Sequence, residues 1–262
     1  MYNQINLNVL PARVDMKKLF LLLLLSNSVT ANEIDTKCPQ HVIWGAPVVT
    51  EGNNQYLCHK GYAVNYNYKT ETAYYVLENV TKEHLGGISK RKNNFHDDTE
   101  IPLEYRSTVK EYLASGYDRG HLAPAGDFSY SDSAMSESFL MSNMMMQNSN
   151  MNRRVWNSLE QFSRKMVNKY KYEYIITGTV FDATSKVVNT VSVPSYMYKI
   201  IIDPKRNKIL AFLIPNEKTE LDFSNYITTV KEIESKTSID FSPNIPASLK
   251  SLETEVGNIN DW

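Results

Sequence analysis

The sequence predicts an α+β fold. Runs rich in aromatic and β-branched residues at 56–58, 62–66, 72–77, 174–181, 197–202 and 209–214 read as strands. Val155, Leu159, Phe162 and Met166 recur at helical spacing, with Trp156 beside the stripe, and predict one long helix over 152–170. The two kinds of element follow each other without the regular strand–helix alternation of a parallel α/β sheet, which leaves α+β.

In chain order, the first element stands outside the fold. Lys17 and Lys18 precede the apolar run Leu19 to Leu25, then polar Ser26-Asn27-Ser28 and Val29-Thr30-Ala31. A charged start, a short apolar stretch and a small-residue cleavage site read as a secretory signal peptide. The run falls short of the roughly 20 apolar residues of an ordinary membrane span, the competing reading being an uncleaved anchor. Met16 directly before Lys17 offers a start codon, which would place 1–15 upstream of the true start. Residues 32–262 are then expected to form one domain, secreted or periplasmic, with no stable membrane association after cleavage.

The 262 residues are 42% hydrophobic and 22% charged, which fits an ordinary globular chain and excludes collagen-like, coiled-coil and disordered classes. Residues 1–31 carry Arg13, Lys17 and Lys18 against Asp15, so their removal takes the formal charge from −1 to −3. A slightly acidic chain is a poor coat for nucleic acid, which asks for a broad basic face, but it accommodates an enzyme with one local basic groove. Cys38 and Cys58 are the two cysteines. In an exported chain an even pair reads as a disulfide, closing a loop of about 20 residues and contributing roughly 3 kcal/mol in the chain-entropy picture. Their number and the scattered histidines give no zinc-site spacing.

The segment His41 to Gly45 is expected to open the strand region, followed by the runs at 56–58, 62–66 and 72–77. Residues 81–116 are polar and irregular, a long surface excursion of the kind that often carries function. After the helix, Asp203-Pro204 through Asn207 supplies a turn between the strands at 197–202 and 209–214, and a last helix is expected over 225–234.

Two segments concentrate chemistry. Tyr117-Asp118-Arg119-Gly120-His121-Leu122-Ala123-Pro124-Ala125 places an acid, a cation and a base within four residues. Arg is a planar fork suited to phosphate, His is neutral near working pH, and Gly admits a close backbone approach to a ligand. A salt bridge beside a surface histidine would look the same. The second segment runs from Asn143 through Gln147, Asn152 and Trp156 to Glu160. Asn152 falls at the strand-to-helix junction, where Asn commonly caps a helix. Glu160 follows two turns later, near the same helix face. An amide oxygen with a carboxylate suits a hard cation such as Mg²⁺.

Together these segments resemble the DNA/RNA non-specific endonuclease family, the group that includes secreted bacterial nucleases and mitochondrial endonuclease G. The resemblance rests on Asp118-Arg119-Gly120-His121 followed by Ala123-Pro124, then Asn143, Gln147, Asn152, Trp156 and Glu160 in unbroken spacing. A weaker likeness extends from Cys58 to Phe241 through Gly61–Tyr66, Tyr174–Gly178, Tyr198-Lys199 and Ile233-Glu234. It implies the ββα-metal (His-Me finger) nuclease fold, with a central, largely antiparallel sheet flanked by helices. It implies His121 as general base and Asn152 as the sole direct protein ligand of Mg²⁺, for which Mn²⁺ would substitute. By the same likeness Glu160 holds metal-bound water, Arg119 clamps phosphate and Asn143 supports the site. A further phosphate-binding Arg is expected upstream: Arg91, ahead of Phe95 and Asp97-Asp98, or Arg106. Met146 departs from the family's frequent Pro and is expected to loosen a turn. The implied substrates are DNA and RNA, cut with little sequence preference to leave 5′-phosphate ends, and a homodimer is left open. The rival readings are an inactive nucleic-acid-binding protein of the same fold and a small-molecule phosphodiesterase.

Overall fold

The computed structural model describes residues 33–50, 52–241 and 243–262. The signal-peptide reading of 1–31 lies outside them. From the N-terminal side, α1 (Glu33–Lys37) leads through β1 (Val48–Val49) to a meander of β2 (Asn54–Cys58), β3 (Ala63–Asn67) and β4 (Thr72–Thr81). Helix α2 (Lys82–Leu85) opens the irregular excursion, which ends in β5 (Asp118–His121). Helix α3 (Asp132–Glu137) lies in the connection to β6 (Met144–Gln147). Helix α4 (Ser149–Met151), a π-helical turn over Asn152–Trp156 and α5 (Asn157–Tyr170) follow without a break in helical backbone. Then come β7 (Tyr172–Val180), the hairpin β8 (Lys186–Val188) and β9 (Val191–Val193), β10 (Tyr196–Asp203), β11 (Lys208–Pro215) and β12 (Ile227–Thr228). Helix α6 (Val230–Thr237), β13 (Ile239–Asp240) and α7 (Ala247–Lys250) finish the chain.

Seven strands form one sheet in the order β12-β11-β10-β7-β4-β3-β2, with every neighbouring pair antiparallel. Side chains alternate across it, so each strand serves two cores. One face buries Val76, Met197, Ile201 and Phe212 with Trp156, Leu159 and Met166 of the long helix. The other buries Tyr75, Leu77, Ile176 and Ile200 with Ile34, Val230 and Ile233. Burying each such side chain stabilises by roughly 1.5–3 kcal/mol, which is what holds a helix with a charged outer face onto the sheet. Cys38 and Cys58 are bonded, Cα to Cα 5.6 Å, and tie α1 to the end of β2.

Three expectations are corrected. Residues 41–45 form no strand: His41 ends a 3₁₀ turn begun by Pro39, and its Nε2 lies 3.0 Å from the His59 carbonyl. The last helix starts at Val230, because Thr229 caps it by accepting from Glu232 N–H at 3.0 Å. Residues 223–228 instead form a 3₁₀ turn and β12. Asn152 is not the N-cap of the helix. Asn148 fills that place, its Oδ1 accepting from Asn150 N–H at 3.0 Å, and the Asn152 N–H already donates to the Asn148 carbonyl.

Candidate active site

Strands β5 and β6 pair antiparallel with Asp118 opposite Gln147 and His121 opposite Met144. Arg119 and His121, two residues apart, both line a cavity of about 450 Å³. Gly120 between them is required by the protein itself: a Cβ there would collide with the Gln147 side chain. A close backbone approach at this glycine is thus made to Gln147. Met146 sits mid-strand opposite Arg119, fully buried, so no turn is loosened at that position.

His121 is 8% exposed, edge-on to Phe139 at 5.0 Å and tilted to Phe95 at 5.9 Å. Its Nε2 is buried without a partner. Burial, then the nearby Arg91 charge, lowers the imidazole to about 3, so it stands neutral. The chain beyond it is braced by Asn143, which lies beneath the cavity. The Asn143 Oδ1 accepts from Ala123 N–H at 2.9 Å, and its Nδ2 donates to the carbonyls of Ala123 and Ser138 at 2.9 and 2.8 Å.

Asn152 opens the π-helical turn, an irregularity frequent at functional sites. Its Nδ2 donates to Asp118 Oδ2 at 2.9 Å. Arg153 forks onto the same carboxylate at 2.8 and 2.6 Å. With its amide nitrogen committed to Asp118, Asn152 lines the cavity together with His121 and Glu160. Burial raises the Glu160 carboxyl to about 7, while Lys199 and Arg164 pull it down.

Arg91, Arg119, Arg153 and Arg164 line the same cavity, against Glu160 as its one carboxylate, so an acidic protein carries a basic pocket here. Arg119 lies 4.2 Å from the Phe95 ring centroid and Arg91 5.0 Å from that of Phe139. Arg106 is not brought to the cavity: its guanidinium donates to the carbonyls of Ile101 and Thr99. Arg164 of the long helix is half-buried and bridged to buried Asp127 at 3.0 Å. Its place one turn after Glu160 was the available signal. Asp118 as the anchor of Asn152 depends on a contact across 34 residues and had no local signal.

Among the described residues no three His, Cys, Asp or Glu side chains gather as a metal cage. An amide and a carboxylate lining one cavity, with room for water, fit a hard divalent ion that keeps most of its hydration.

The strand pair β5–β6 followed by the long helix, beside a central antiparallel sheet, is the ββα-metal nuclease fold. The chain belongs to the DNA/RNA non-specific endonuclease family, which matches residues 45–248. It is similar to the mitochondrial nuclease of Saccharomyces cerevisiae, 34% identical over 71% of this chain and 64% of that protein, so it spans slightly less than two thirds of that relative. It is 30% identical to a nuclease of Nostoc sp. over 86% of this chain and 89% of that one. It is also 30% identical to the mitochondrial endonuclease G of Bos taurus, over 73% and 70%. The solved EndoG/EndoGI complex superposes with a TM-score of 0.73 at 26% identity, covering 83% of this chain and 94% of that one.

Proposed function

We propose that this chain is an exported, Mg²⁺-dependent endonuclease that hydrolyses phosphodiester bonds of DNA and RNA with little sequence preference. The observation that carries the reading is the Asn152 amide, pinned through its nitrogen by Asp118 in the cavity that it lines with His121 and Glu160. Hydrolysis needs an activated water, an in-line approach and neutralisation of growing charge. Neutral His121 takes a proton from the attacking water. Arg119, Arg91 and Arg164 hold the phosphate and stabilise charge on its oxygens as the bond breaks. Asn152 Oδ1 would hold the metal and Glu160 its waters. When bound, Mg²⁺, or Mn²⁺ in its place, supplies Lewis acidity toward the phosphate oxygens. Contacts to phosphate carry no base information, so low sequence preference follows. The 5′-phosphate ends rest on the resemblance to the family.

Supercoiled plasmid and a structured RNA, each incubated with the protein in Mg²⁺ and in EDTA, test this. Both should be degraded in Mg²⁺ and survive in EDTA. Plasmid left intact with Mg²⁺ and with Mn²⁺ would sink the reading.

Export is supported by the Lys17–Ala31 pattern and by the disulfide, which persists in oxidising compartments. No helix among the described residues is long and apolar enough to cross a membrane. The intact mass of protein from medium or periplasm should correspond to a chain starting near Asn32 and lacking two hydrogens. A full-length chain with two free thiols would contradict export.

A further inference from the structure

A second cavity of about 430 Å³ adjoins the elements that build the first. Tyr117, which immediately precedes Asp118, lines it together with Asn148, the cap of the helix that carries Asn152. Asn216 stiffens its floor: Oδ1 accepts from Asn148 N–H at 2.7 Å, and Nδ2 donates to the carbonyls of Met146 and Pro194 at 2.9 and 3.0 Å. The hydroxyls of Ser185 and Ser195, also in the lining, are joined to each other, and Ser195 donates to Asp182 at 2.6 Å. Among the described residues the lining groups without a hydrogen-bond partner include the hydroxyls of half-buried Tyr117 and Tyr196, whose rings rest on one side against buried apolar clusters, and the exposed ammonium of Lys186. Glu217, exposed, is the one carboxylate in the lining.

Two aromatic rings and a cation around a rigid polar floor match the chemistry of a nucleoside with its phosphate. The position matches as well. Asn148 precedes Asn152 by one helical turn, a rise of about 6 Å, which is comparable to one nucleotide step along a strand.

We propose that this cavity binds the nucleoside adjacent to the scissile phosphate, with Tyr117 and Tyr196 contacting its base or sugar and Lys186 its phosphate. This rests on the nuclease reading above. The groups are sequence-tolerant: a ring accepts any base, and an ammonium any phosphate. The subsite therefore adds affinity for a polymer without adding sequence preference, and it acts on binding and not on the hydrolytic groups.

The test is steady-state cleavage of a single-stranded oligodeoxynucleotide in Mg²⁺ by wild type, Lys186→Gln, Lys186→Arg, Tyr117→Ala and Tyr117→Phe. Lys186 is exposed, so its variants leave the fold undisturbed. Lys186→Gln and Tyr117→Ala should each raise KM on the order of tenfold with kcat unchanged, and Lys186→Arg and Tyr117→Phe should restore it. Wild-type KM in both Lys186→Gln and Tyr117→Ala overturns the subsite and leaves the nuclease reading standing. A fall in kcat at constant KM overturns it too, because the residues would then serve the hydrolytic groups. Wild-type protein that cuts nothing overturns the nuclease reading, and the subsite with it.

Discussion

His121→Ala is expected to lose on the order of 10²–10⁴-fold in turnover, the usual contribution of a general base, while keeping its fold. The imidazole fills a gap between Phe139 and Phe95, and its removal leaves the Asn143 brace to Ala123 intact. The pH dependence has a definite sign. Burial and Arg91 lower this histidine to about 3, so acidification from neutrality leaves it unprotonated well below 6.5, where an ordinary histidine charges. A phosphate entering beside Arg91 offsets that charge and lifts the imidazole toward the range where a base is most effective. The acid limb of wild-type kcat/KM, a property of the free enzyme, should therefore fall below pH 6.5 and be missing from the residual activity of the variant. The shift also acts on stability. The unfolded chain takes up a proton near 6.5 that the native state refuses until about 3, so this residue destabilises the fold as pH drops through that window. A purified His121→Ala protein that relaxes plasmid at the wild-type rate would remove His121 from the role of base.

Asn152→Ser and Asn152→Asp should part company in a Mg²⁺ titration. The position is helix-internal, so the good capping ability of all three residues is irrelevant to it. Ser cannot place an oxygen where the amide oxygen stands, and apparent Mg²⁺ affinity should weaken by at least the roughly 10–100-fold that even indirect contacts to a metal carry. Asp keeps an oxygen at the same reach. It also brings a negative charge against Asp118, which now lies 2.9 Å from the amide nitrogen, and it spends part of the metal's charge. Its main effect should be on turnover. Melting curves in EDTA separate either change from simple unfolding. Three superimposed titrations with equal plateaus would end the metal assignment at Asn152.

Much of the fold was legible because its signals are local and periodic. Strands β7, β10 and β11 are runs of aromatic and β-branched residues buried almost throughout, the turn at Asp203–Asn207 is marked by its residues, and the long helix shows its buried stripe at helical spacing. Residues 41–45 misled because their strand-like composition is overridden by Pro39 and the Cys38–Cys58 tether. The cavity was legible in the two segments that build it, since His121 falls in the first and Asn152 and Glu160 fall two helical turns apart in the second. Arg91 against Arg106 was not decidable from spacing. Both lie in the irregular excursion, and only tertiary contacts send Arg106 to backbone carbonyls and Arg91 over Phe139. The meaning of Gly120 was also hidden, because Gln147, which excludes a side chain there, comes from the partner strand.

Nearly every group that lines the cavity lies between Asp118 and Arg164, in one continuous stretch of strand, connection, strand and helix. The reactive constellation is thus a portable cassette, and the remainder of the chain is its chassis. Contacts of short sequence separation close with little loop entropy, so the cassette can reach its register before the seven-stranded sheet has recruited its most distant strands. Ser89 and Arg91 are the exceptions, and Arg91 is the one that carries charge. Both arrive from outside on an arm latched by the His96–Leu140 bridge and by Asp98, whose carboxylate accepts from Ser142 at 2.6 Å. Insertions or divergence in the chassis leave the cassette's internal geometry alone, whereas a change in the length of that arm would withdraw the Arg91 cation together with the Phe95 ring that packs on His121 and Arg119.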